Sequence, residues 1–186
     1  MGKKSGKKKK NRIKAEKQNP HISETTEVHP IEEATFNKTV QNSDVDEQWQ
    51  RIFDILGVSN EDDADMNMEN LQKYLVYLKK NIEMPCLVTG IEDTGCFGWE
   101  SYYTFGPGSE REYNKSKKKY PSYTDEYKLL EFHENFDEEE GLYVDVERIS
   151  DKKKFSLTLA DLEGKDQNSQ NAQLLDDHSV WFVNFR

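Results

Sequence analysis

Residues 133–140 read HENFDEEE, which puts five carboxylates within eight residues, between two segments that read as β-strands. Like charges this close repel, so the run destabilises any fold that does not supply water, basic partners or a cation. The flanking segments, EYKLLEF (Glu126–Phe132) and LYVDVERI (Leu142–Ile149), must therefore carry the run as a loop. A solvated acidic loop is the plain reading of such a run, and a cation site the sharper one.

Charge is distributed unevenly along the rest of the chain. Residues 1–17 hold nine Lys/Arg and one Glu, a local +8, whereas the remainder holds 17 basic against 35 acidic residues, or −18. A body that acidic is a poor partner for duplex nucleic acid, where neutralising phosphate dominates affinity. It suits cations or basic protein surfaces, and nucleic-acid contact is expected only through the Lys-rich tail. No run of about 18 apolar residues is present, so no membrane span is expected. The N-terminal MGKKSGKKKKNR lacks a following apolar stretch and, with Gly6, misses the myristoylation pattern. Cys86 and Cys96 suggest no disulfide framework, so a reducing cytoplasm is the expected setting.

Three regions are expected along the chain. Residues 1–42 are Lys-rich and then polar, with almost no apolar periodicity, and are expected to be a disordered tail and linker. Residues 43–83 are expected to be helical. Val45, Trp49, Ile52, Phe53 and Leu56 recur at helical spacing after Asp44, and Gly57 is placed to end that helix. A second helix is expected from about Met66 to Ile82, capped by Asp65 or Asn67 and stopped by Pro85. From residue 84 to 186 the pattern turns to short strands: CLVTGI, ESYYTF (Glu100–Phe105), the two segments around the acidic run, FSLTL, and SVWFVNF (Ser179–Phe185). A short helix is expected at Glu110–Lys117. The fold class is thus α+β: a small antiparallel β-barrel or bent sheet, SH3-like in kind, preceded by two helices and a basic tail.

Enzyme signatures are missing: the sequence holds no Walker loop, GxGxxG, GxSxG or HExxH, and catalysis is not expected. Asp63, Asp65 and Asn67 imitate positions 1, 3 and 5 of an EF-hand loop. Met68 then stands where the turn needs Gly, and Tyr74 where a bidentate Glu belongs, which excludes that loop. Oxygen ligands for a hard cation, calcium before the geometrically stricter magnesium, are best supplied after Pro85. The candidate ligands are Glu134, Asp137, Glu138, Glu139 and Glu140 of the run, with Glu92, Asp93, Glu100, Asp176 and Asp177 at expected strand ends and turns.

From about Leu75 to Arg186 the chain resembles the small acidic calcium-binding family of the cyanobacterial CcbP type. The residues that carry the resemblance are PCLVTGIED (Pro85–Asp93), FGWES with Tyr102, FGPG (Phe105–Gly108), Glu112-Tyr113 and PSYTDEYKLL (Pro121–Leu130). After the acidic run come ISDKKKFSLTLADLE (Ile149–Glu163) and QLLDDHSVWFVNFR (Gln173–Arg186). The resemblance implies a protein that binds Ca2+ through acidic side chains and buffers or sequesters it. The alternative is a protein-interaction module, its acidic face meeting a basic protein partner and its Lys-rich tail adding a second contact.

Overall fold

A computed structural model describes residues 47–186, and its first two helices follow from local signals. α1, over 47–56, turns Ile52 and Leu56 inward. Gly57 ends it at φ +69°, and the Val58 N–H reaches back to Phe53 O at 3.0 Å, the six-to-one bond of a Schellman stop. α2, Met68–Asn81, starts after Asn67, whose side chain accepts from the Asn70 N–H at 3.0 Å. Leu71, Tyr74, Leu75 and Leu78 form its buried stripe. The Lys-rich tail, the Asp44 cap and Val45 lie outside the described residues.

Five antiparallel strands follow: β1 (Leu87–Gly90), β2 (Glu126–Phe132), β3 (Tyr143–Arg148), β4 (Lys154–Thr158) and β5 (Leu162–Gly164). Their order in the sheet is β4-β3-β2-β1-β5. β2 and β3 pair with Leu129 opposite Val146 and Phe132 opposite Val144, after a register shift between Leu129 and Glu131. Tyr127, Leu129, Val144 and Val146 all face the core. Alternation in β3 buries every second residue, the pattern of a sheet with one wet face.

The sheet is open rather than the closed barrel that was one of the two expected forms. β4 and β5 lie at opposite edges, yet only a 3-10 turn, Leu159–Asp161, joins them. Across a flat sheet the edges would stand roughly 19 Å apart at the usual strand spacing, more than about 14 Å of extended chain can bridge here. The sheet must therefore curl strongly, bringing its edges near each other without pairing them.

Two expected strands are helical. SVWFVNF belongs to α5, Gln170–Asn184, which Ser169 caps by accepting from the Ala172 N–H at 3.1 Å. Leu174, Leu175, His178, Trp181 and Phe182 are its buried face, spaced i, i+1, i+4, i+7 and i+8. ESYYTF likewise folds as the end of a 3-10 turn, Gly95–Glu100, followed by α3, Ser101–Thr104. In both, aromatic and β-branched residues suggest a strand in a seven-residue window. In α5 burial on one helical stripe prevails, whereas α3 is a single turn with no buried residue. α4, Glu110–Lys117, forms where expected, with Ser109 as its cap.

α5 fastens the helices to the sheet. Trp181 is fully buried, stacks on Tyr74 of α2 with centroids 4.7 Å apart, and donates its indole N–H to Ala64 O at 2.8 Å. One hydrophobic cluster accordingly runs from Ile52 and Leu56 through Leu75 and Val88 to Leu129, Val144 and Trp181.

Candidate metal centre

The acidic run leaves β2 and folds into a tight turn before β3. Asp137 and Gly141 form an isolated antiparallel bridge, with the Gly141 N–H donating to Asp137 O at 2.9 Å. Asp137 Oδ1 accepts from the N–H groups of Glu139 at 3.0 Å and Glu140 at 2.7 Å, so this carboxylate organises the turn from inside. Gly141 has φ +77°, and any Cβ there would collide with the Phe182 ring of α5. The turn is thus seated against the C-terminal half of the helix that the sequence suggests is a strand.

Two further contacts tie the run to α2. Glu138 accepts from the Met68 N–H at 3.1 Å, one of the open donors at the N-terminal end of α2, where a negative charge is favoured. Glu134 pairs with Lys79 in the last turn of the same helix. The repulsion in the run is therefore relieved in part by a lysine and a helix end. Glu139 and Glu140 remain exposed and have no ion-pair partner among the described residues. The Tyr143 phenol sits above its ordinary pKa because of burial and then the charges of Asp137 and Glu140.

The other expected ligands lie elsewhere. Glu100 is buried at the end of the 3-10 turn and accepts from Tyr113 Oη at 2.5 Å, Ser122 Oγ at 2.9 Å and the Tyr123 N–H at 2.8 Å. Burial, then the bond to Glu100, pushes the Tyr113 phenol up to about 12. Asp93 takes φ +62° and accepts from the Ser101 hydroxyl. Glu92 is exposed, and its hydrogen bond is the first cause that raises the Tyr123 phenol. Asp177, buried on α5, receives a two-pronged Arg51 guanidinium at 2.8 Å on each oxygen, while its neighbour Asp176 accepts from Gln48 at 2.8 Å. The five carboxylates of the run thus share one segment, whereas Glu92, Asp93 and Glu100 belong to the β1–α3 connection and Asp176 and Asp177 to α5.

Polar groups outside the run, Tyr143, Asp145 and Ser156, also lie beside it and were not among the expected ligands. A cavity of about 320 Å³ is lined by His133, Asn135, Phe136, Asp137, Tyr143 and Ser156. His133 Nε2 meets Asp145 Oδ1 at 2.8 Å, and Asp145 stands directly opposite Glu131 in the β2–β3 pairing. Asp145 could have been noticed as an acid on the wet side of the β3 alternation, as Glu147 is. Its neighbours could not, because the register shift decides them.

Among the described residues no group of three or more His, Cys, Asp or Glu side chains is gathered for a metal. The exposed carboxylates of the turn fit a hard cation such as calcium in kind, but they are not preassembled as a cage.

Comparison with known proteins names the region. A family model of the CcbP type, described as calcium binding, matches residues 97–182. Over this stretch the chain is similar to the CcbP-type family. The stretch contains the whole acidic run, α4, β2 to β5 and most of α5, and lies within the resemblance seen from Leu75 onward. The family's own description is calcium binding. Among solved structures, a "calcium binding protein in the calcium-binding form" aligns at 14% identity with a TM-score of 0.43, over 74% of this chain and 90% of its own. The crystal structure of Anabaena CcbP aligns at 14% identity and a TM-score of 0.42, over 74% of this chain and 89% of its own. No curated protein matches. No helix among the described residues is long and apolar enough to cross a membrane.

Proposed function

We propose that this protein binds calcium ions through its CcbP-type region and buffers them in the cytoplasm, with no catalytic role. The observation that carries this reading is the family match over residues 97–182, a span that includes the acidic turn. Asp137, Glu138, Glu139 and Glu140 are the proposed centre, and Glu134 flanks it. The proposed share of Glu92, Asp93, Glu100, Asp176 and Asp177 is smaller, because Glu100 and Asp177 already accept from protein donors on both oxygens. A turn whose ligands are not preassembled must order them on binding, which favours modest affinity and suits a buffer. The lack of a rigid octahedral frame supports preference for calcium over magnesium. Both described cysteines are free, which agrees with a reducing compartment. An SH3-like reading of the sheet draws support from the short 3-10 link between its two edge strands.

Calorimetric titration with calcium and with magnesium in moderate salt tests the proposal. Saturable heat with calcium, weaker with magnesium and abolished in Glu139→Gln/Glu140→Gln, is the expected result. Heat no larger than an ionic-strength control overturns it. The alternative function, an acidic face docking a basic protein, draws on the same unpaired carboxylates and predicts association that persists in chelator.

A further inference from the structure

The acidic body carries one face of the opposite sign. The C-terminal end of α4 runs into Lys117-Lys118-Lys119, and the β3–β4 turn presents Lys152-Lys153-Lys154. These two stretches meet: Lys153 Nζ contacts Lys118 O, and the buried Arg148 donates to Lys117 O at 2.7 Å and Tyr120 O at 3.1 Å. Lys152 and Lys153 have acidic partners in Glu147 and Asp151, at 3.5 Å and 3.6 Å. Lys118, Lys119 and Lys154 have no ion pair among the described residues and are exposed. Acids on α4, Glu110 and Glu112, sit in its first turn at the other end.

Beside these lysines lies a cluster of mutually tilted aromatic rings, with Lys117 Nζ 5.4 Å from the centroid of Tyr113. Trp99 lies 5.9 Å from Tyr103, Tyr113 and Tyr120, and Tyr103 lies 5.1 Å from Tyr102. Trp99 is held in place by its indole N–H on Pro121 O at 2.9 Å. At the margin of the cluster Tyr102 and Tyr120 are 55% exposed, and Phe105, the residue that ends α3, is 73% exposed. Apolar surface of this size beside unpaired cations is what a polyanion with flat faces would cover.

We propose that this face binds single-stranded nucleic acid, with Lys118, Lys119 and Lys154 on phosphates and Tyr120, Phe105 and Tyr102 offering stacking surfaces to bases. Three features favour this partner. Stacking needs unpaired bases, so a duplex would leave the rings uncovered. The platform is anchored through Trp99 and two of its three open rings carry hydroxyls, which suits stacking better than burial in lipid. Consecutive lysines match the closely spaced charges of a strand. The reading is independent of calcium, and differs from contact through the N-terminal tail.

The test is fluorescence anisotropy of the full chain with a labelled short oligothymidylate, the same strand annealed to its complement, and phosphatidylserine vesicles. Expected are salt-dependent binding to the single strand, weaker binding to the duplex, and losses of about tenfold or more in Phe105→Ala and in Lys118→Glu/Lys119→Glu. The lysine pair should also lower the salt slope by about 1.4, two phosphates at roughly 0.7 each. Near-ultraviolet circular dichroism of each variant verifies that the fold is retained, and Phe105, being a surface ring, keeps the test available if Tyr120→Ala does not fold. Variants binding as well as the unaltered chain would place all contact in the tail and overturn the proposal. Equal binding to duplex, or binding to vesicles in preference to the strand, overturns it as well.

Discussion

Glu100 and Glu140 are both glutamates within residues 97–182, and their surroundings are opposite. Glu100 is 2% exposed and takes three hydrogen bonds from a tyrosine, a serine and a main-chain amide. Glu140 faces water on a turn, and its only hydrogen bond in the described residues is through its main-chain N–H to Asp137. A buried carboxylate is stable only when protein donors replace its hydration, and those donors then leave little room for an ion. An exposed one keeps its oxygens available and contributes little to the fold. Acidity in this chain thus divides into carboxylates that hold structure and carboxylates that can hold something else.

The largest effect expected on the buried side concerns His178. Among the described residues both ring nitrogens lack a partner, in a pocket shared with Tyr74, Trp181 and Phe182, and Asp177 precedes it on α5. Burial pushes its pKa down to about 3. The folded state therefore refuses a proton that the unfolded chain accepts below about pH 6.5. Stability should be full above that value and fall as the pH drops toward 3, by up to about 4–5 kcal/mol, at some 1.4 kcal/mol per unit. Urea titrations across this window test the point: His178→Leu should flatten the dependence, and an unchanged slope would refute the assignment.

Glu100→Ala should come next, at roughly 3–4 kcal/mol, because it strands three donors in the interior. Calcium heat of the remaining folded protein should be unchanged. If that heat vanishes with the fold intact, Glu100 is a ligand and the division drawn above fails. Gly141→Ala should cost about 2–3 kcal/mol through its positive φ and the collision with Phe182, and should also blunt calcium binding by unseating the turn. The smallest stability change belongs to Glu139→Gln/Glu140→Gln, within about 0.5 kcal/mol, with calcium heat lost. A large loss of stability there would mean that these side chains have structural partners after all.

What could be read from the sequence was local. α2 announces itself by Asn67 and its apolar stripe, α4 by a charged stretch closed by Pro121, and β2, β3 and β4 by alternation or by turn residues, since each signal acts over a few positions. Ser179–Phe185 and Glu100–Phe105 read as strands because Val, Trp, Tyr and Phe favour strands in a short window, whereas the spacing of Leu174, His178 and Trp181 shows a helix only over a longer one. The charge density of the acidic turn was plain. Its relief was not, because Glu138 meets Met68 and Glu134 meets Lys79 across separations of 70 and 55 residues. Nor could the strand alternation alone place Asp145 beside His133, which depends on a shift in pairing.

The curl of the sheet has a kinetic side. β1 pairs with β2 and with β5, and Val88 finds Gly164 only at a separation of 76 positions along the chain. The β2–β3–β4 meander, by contrast, can assemble from neighbours in the chain. Loop-closure entropy delays distant pairings, so the meander should form first, with β1, β5 and α5 joining late. The acidic turn lies at the tip of the early hairpin, and Phe182, the ring that seats it, arrives with the last helix. Before that helix docks, the five carboxylates are carried on an unbraced hairpin, and the window in which the chain is most exposed to misassociation closes only when its C-terminal residues fall into place.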